Sequence, residues 1–180
     1  MKMEKEKFLM DEFWKLAIQD AFRTRNRSFP VYKSDLDEND IRKTELKQSL
    51  KEGTILLINQ LQKKEITEQN YIPNLEVIRR EIESKYKDIL HHEKFRFGIL
   101  QKLVNMYLKY LWCSSLIKFN PPHCPIDGIV IKKIKKENEF IWTDDKFTDE
   151  KYQSVINILK ELKNKEESFS EWELRNFNSR

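Results

Sequence analysis

A single all-helical domain, a multi-helix bundle spanning residues 1–180, is the fold this sequence predicts, and three observations carry the prediction. Charged residues make up 36% of the chain and apolar residues 39%, with only three glycines, a mix that suits helices with solvated outer faces better than a sheet with many tight turns. Apolar residues recur with the helical period through most of the chain. A length of 180 residues is enough to bury one sizeable core.

Each element follows from its own spacing. Over residues 3–22, Phe8, Leu9, Phe13, Trp14, Leu16, Ala17, Ala21 and Phe22 mark one face of an amphipathic helix, and Trp14 within that stripe reads as core. The stretch RTRNRSFP that follows alternates Arg23, Arg25 and Arg27 with small polar residues; it is either a solvated loop or one that touches phosphates. Residues 31–40 are acidic and turn-like, and Asp37, Asn39 or Asp40 can cap a helix carrying Ile41, Leu46 and Leu50. Gly53 either ends that helix or is absorbed by it, ahead of the apolar group Ile55 to Leu61. KKEITEQNYIP reads as a connection, and Asn74 after Pro73 opens a helix through Leu75, Ile78, Ile82, Tyr86 and Ile89, with His91 and His92 at its end.

A helix from about Ile99 to Cys113 follows the FRFG break and places Lys102 in its first turn, with Lys109 seven residues on and on nearly the same face. A helix N-terminus attracts phosphate and lowers the cost of a neutral amine. SSLIKFNPPH is a loop, and Pro121, Pro122 and Pro125 hold HCPID extended up to Asp127, the expected N-cap of the next helix. ENEFIWTDDKF is irregular, pinned by Trp142 and Phe147. Thr148 caps a helix through Tyr152, Val155, Ile156, Leu159 and Leu162, and Ser170 with Glu173 forms the capping box of a short last helix.

Charge is concentrated in Lys94–Lys136, which holds nine Lys or Arg residues against one acid, Asp127, a local charge of +8 in a chain of net charge +4. Such a segment suits a polyanionic partner. Two cysteines, Cys113 and Cys124, make no disulfide framework, and no apolar run reaches the roughly 20 residues that span a bilayer. The expectation is a monomeric cytoplasmic protein with no membrane partner. His91, His92, Cys113, His123 and Cys124 lack the paired spacings of a zinc site, so no metal or cofactor is expected. A Cys124 nucleophile beside His123 is disfavoured because neighbours on an extended segment point to opposite sides. Walker, GxGxxG and GxSxG patterns are missing.

A lysine on an apolar helix, a Pro-bounded loop, and an aspartate opening the next helix form a pattern carried here by FGILQKLVNMYLKY and PHCPIDGIVIKKI. Over these residues the chain resembles the helix-hairpin-helix DNA glycosylases, and is most similar to their archaeal 8-oxoguanine branch. The Gly-rich hairpin of most members is reduced here to Phe97 and Gly98. The resemblance implies a DNA glycosylase, with or without lyase activity, that removes a damaged or modified base. Lys102 would attack the sugar carbon bearing the base, and Asp127 would stabilise the charge developing there.

The chemistry is consistent with those residue types. Cleavage of an N-glycosidic bond builds oxocarbenium character that a carboxylate stabilises, and a lysine is nucleophilic only when its pKa is lowered. On this reading DNA is held by Arg23, Arg25, Arg27, Lys94, Arg96, Gly98, Lys109, Lys132 and Lys133, and the extruded base by Phe97, Tyr107, Trp112, His123 and Trp142. The alternative is a non-catalytic nucleic-acid-binding or protein-interaction module, in which Asp127 is only a helix cap and Lys102 a solvated or phosphate-contacting lysine.

Overall fold

The computed structural model describes residues 1–23 and 29–177, which form seven α-helices and, among the described residues, no strand. Helix α4 (Phe97–Cys113) is their axis. Its sequence is apolar almost all round, so it belongs inside the bundle, and Leu100, Leu103, Val104, Tyr107 and Leu108 are fully buried. Helix α1 (Lys2–Phe22) runs along it as the most extensive helix pair. Trp14 meets Tyr107 edge-on with ring centroids 5.3 Å apart, and the Tyr110 hydroxyl donates to Asp20 at 3.0 Å. Trp14 is therefore core, whereas Phe8 and Leu16 of the same predicted stripe stay exposed.

Helix α2 (Ile41–Gln62) begins at Asp40, whose carboxylate accepts from the Arg42 N–H, and it continues through Gly53. A Cβ at Gly53 would lie 3.3 Å from Ile78 Cγ2, so the glycine lets α2 sit close to α3 (Glu68–Tyr86). Helix α3 starts six residues before the expected Asn74. The Thr67 N–H donates to the Asn70 side chain at 2.7 Å as half of a capping box, and Ile66 and Tyr71 on either side of it are buried. Pro73 is tolerated inside the helix because Gln69, whose carbonyl it cannot serve, is exposed. His91 and His92 lie in a separate 3₁₀ turn beyond the end of α3, next to an isolated bridge between Tyr32 and Leu90.

Helix α5 (Gly128–Lys133) is short and follows the extended proline segment. Helices α6 (Asp149–Leu162) and α7 (Phe169–Phe177) close the bundle. The capping box of α7 is Ser168 with Glu171, and not the expected Ser170 with Glu173: the Ser168 N–H donates to Glu171 at 2.7 Å and the Glu171 N–H to Ser168 Oγ at 3.2 Å. Two overlapping S-x-x-E patterns compete here. Glu173 is withdrawn from the second by a buried ion pair with Lys109.

Gly98 lies inside the first turn of α4 and is not a break before it, so Lys102 falls in the second turn. The glycine is required by a close approach: a Cβ there would sit 1.7 Å from the Trp142 carbonyl oxygen. Gly98→Ala must push the Trp142 segment off α4, and a stability loss of about 2 kcal/mol or more is expected in thermal or denaturant unfolding. Gly53→Ala, whose new methyl meets only the branched Ile78 side chain, Cγ2 first at 3.3 Å, should fall within about 1 kcal/mol of the wild type because a better helix former offsets the crowding.

Candidate functional site

A buried helix face must find partners for its polar residues, and α4 carries three on its enclosed side at intervals of four: Gln101, Asn105 and Lys109. Each reaches a different element. The Gln101 amide is hydrogen-bonded to both backbone groups of Ile126, donating to its carbonyl at 2.6 Å and accepting from its N–H at 3.0 Å. Asn105 accepts from the Tyr71 hydroxyl of α3 at 2.8 Å and donates to the Tyr152 hydroxyl of α6 at 2.9 Å. Lys109 pairs with Glu173 of α7. These contacts fix the loop from Pro121 to Asp127 and the helices around it.

Asp127 then opens α5, its Oδ1 accepting from the Ile129 N–H at 2.9 Å and the Val130 N–H at 3.2 Å. Both capping bonds fall on one oxygen of the carboxylate. Asp127 and Lys102 line the same cleft, of about 1040 Å³, between α4, α5 and the Phe140–Thr143 segment. Its apolar walls come from Ile131, Phe140 and Trp142, and its cations from Arg23, Lys132, Lys133 and Lys135. The Lys102 ammonium sits over the Trp142 indole, 4.6 Å from the ring centroid, where the negative face of the ring favours the charged amine.

The sequence-derived residues divide sharply. Lys102, Asp127, Arg23, Lys132, Lys133 and Trp142 come together in the cleft. Arg25 and Arg27 lie outside the described residues. Lys94 is exposed away from the cleft lining. Arg96 is buried and donates to the carbonyls of Thr143 at 3.0 Å and Pro30 at 2.8 Å, a tie between loops and not a phosphate contact. Gly98 is covered by the Trp142 carbonyl, which leaves it no approach to a DNA backbone.

Lys109 shares a helix face with Lys102, as a seven-residue spacing requires, but it lies about 10 Å further along the axis, where α7 covers the face. Its charge is met by Glu173 inside the protein. Of the aromatic candidates, only Trp142 borders the cleft. Phe97 is buried against Tyr152, Tyr107 against Trp14, and Trp112 donates to Asn120 at 3.1 Å at the far end of α4. His123 is almost wholly buried, 3.0 Å from the Tyr152 hydroxyl and boxed by Tyr71 and Phe169. Burial also pushes the Cys124 thiol well above its ordinary range, which removes the cysteine nucleophile.

Ile131, Lys135, Glu137 and Phe140 border the cleft and were not singled out from the sequence. A signal for one of them exists. A helix starting at Gly128 brings positions 128, 131 and 132 to one side, so an N-cap at Asp127 implies that Ile131 shares its cleft, whereas Lys135 lies past the end of α5 at φ 57°.

Among the described residues no group of three or more His, Cys, Asp or Glu side chains is arranged to hold a metal, and no helix is long and apolar enough to cross a membrane. No family model, no curated protein and no solved structure matches the chain.

The buried ion pair makes a direct test of the role of Lys109. Lys109→Met strands the Glu173 carboxylate and should cost about 3–5 kcal/mol in denaturant unfolding, most of it recovered in the double variant with Glu173→Leu.

His123 sets an acid limit on stability. Burial, with Lys160 adding to it, lowers its pKa from 6.5 to about 3, so below pH 6.5 the unfolded chain takes up a proton that the folded ring refuses. This contribution is complete above pH 6.5 and is lost as the pH falls towards 3. Between pH 7 and pH 5 the wild type should lose about 2 kcal/mol more than His123→Gln, as measured by urea unfolding at each pH.

Proposed function

We propose that this protein is a DNA glycosylase that removes a damaged or modified base through Lys102 and Asp127. The observation that supports this reading is the presence of an amine and a carboxylate, from two different helices, in one cleft with an aromatic wall and a basic rim. A base taken out of the duplex stack needs an apolar, aromatic-walled pocket, and the phosphates on either side of it need cations.

In this scheme the Lys102 amine, once deprotonated, forms a bond to C1′ of the sugar. The C1′–N bond to the base breaks, the bonding pair leaves with the base, and the base takes a proton from water. The attached nitrogen then carries two protons and gives one to water; its lone pair opens the ring by breaking the C1′–O4′ bond, which leaves a protonated imine on Lys102, and the released ring oxygen takes a proton from water. Asp127 acts before that, its negative charge stabilising the positive charge that builds on C1′ and the ring oxygen. The same Asp127 caps α5 through Oδ1, and a single carboxylate can serve both purposes because the cap engages one oxygen.

The stacking of Lys102 on Trp142 favours a second reading. A charged amine over an indole is a good phosphate or base contact and a poor nucleophile, so the cleft could bind nucleic acid without chemistry.

One measurement tests both readings and a second separates them. Binding to duplex DNA should weaken with salt at a slope of about −4 in log K against log salt, from the cations that line the cleft. A slope near zero rules out both. In a panel of duplexes carrying different modified bases, scored for abasic sites, Lys102→Gln should abolish release and any adduct that borohydride traps, at nearly unchanged affinity. Asp127→Asn should slow release by about 100-fold or more while keeping the helix cap. DNA binding with no base released from any duplex, by wild type or variant, leaves the binding module.

A further inference from the structure

We propose that Gln101 is a positioning residue of this cleft, fixing where the Asp127 carboxylate stands relative to Lys102; as an account of catalysis it rests on the glycosylase reading. Gln101 precedes Lys102 on α4, and Ile126 precedes Asp127 on the loop. The two neighbours are joined by a pair of hydrogen bonds, from the Gln101 amide to the Ile126 carbonyl at 2.6 Å and from the Ile126 N–H to the Gln101 carbonyl at 3.0 Å. The same amide also donates to the Gly98 carbonyl at 2.9 Å, which ties the clamp to the turn that Trp142 covers.

Both partners are completely buried, so water cannot replace either bond. A backbone bonded at both its N–H and its carbonyl cannot shift along or rotate about that residue without losing both bonds. The next residue, Asp127, has its own side chain fixed to the first turn of α5. The order of support therefore runs from α4 through Gln101 to Ile126 and then to Asp127. An apolar residue at 101 would fill the space but hold nothing.

The chemistry of the clamp supplies its own test. In Gln101→Glu the ionised carboxylate still accepts from the Ile126 N–H but faces the carbonyls of Ile126 and Gly98 without a proton to donate. Burial beside two carbonyl oxygens raises its pKa, and the protonated acid restores the donor–acceptor pair of the amide. Relative to wild type at each pH, single-turnover base release by Gln101→Glu should be down at least tenfold at pH 8 and should recover most of that loss by pH 5.5, with DNA affinity within about threefold throughout. Gln101→Met should be slow at every pH. A Gln101→Glu deficit that does not change with pH, or a Gln101→Met variant at the wild-type rate, overturns the proposal.

A second measurement does not depend on the reaction. Amide hydrogen exchange in Gln101→Met should accelerate at Ile126, Ile129 and Val130 while Leu108 and Leu111, at the far end of α4, keep wild-type protection. Unchanged exchange at Ile126, Ile129 and Val130 means that Asp127 is placed without Gln101 and rejects the positioning role. If the wild type releases no base, the glycosylase reading falls, and the exchange result alone decides whether Gln101 holds the loop.

Discussion

The burial of α4 is the constraint on which the rest depends. Away from the half-open stripe of Lys102, Met106 and Tyr110, α4 has no solvent for its polar side chains, and an unsatisfied amide or ammonium there is costly. Gln101, Asn105 and Lys109 turn that constraint into connections, to the Ile126 loop, to α3 and α6, and to α7. Apolar contacts favour collapse onto α4, while these directional contacts select which segments lie against which stretch of it. Asp127 and Lys102 share a cleft as a result.

The same cleft shows how one residue type can hold opposite roles within a few turns. Lys102 lies over Trp142 at the half-open edge of α4, and Lys109 is enclosed by α7 and neutralised by Glu173. Arg96 resembles a phosphate ligand in sequence and is in fact a buried link between the Pro30 and Thr143 carbonyls. A local charge of +8 therefore overstates the field available to a polyanion, because some of those cations serve the fold. Those left at the cleft are concentrated around α5, close to Asp127.

Much of the architecture was legible because it depends on short-range pattern. The helical class, the N-cap role of Asp127, the start of α6 after Thr148, whose side chain makes no capping bond, and the core placement of Trp14 follow from residues within a turn or two of each other, while Asp40 is one of three candidates for the cap of α2. The errors have the same origin in reverse. Helix α3 begins at Glu68 because its Thr67 and Asn70 box outweighs the expectation that a proline marks a start. The two S-x-x-E patterns before α7 are equivalent locally, and the choice between them is made by Lys109, a residue 64 positions away.

What the sequence determines by itself is the helical class, the cap at Asp127 and the concentration of positive charge between Lys94 and Lys136, since periodicity and capping act within a few residues. The tertiary structure alone decided which cations face the cleft, that Phe97, Tyr107 and His123 belong to the interior, and that Gly98 is needed for the Trp142 carbonyl and not for a phosphate. Those outcomes depend on what lies across from each side chain. A lysine buried under α7 and a lysine beside an open cleft have the same local pattern, and only the distant partner tells them apart.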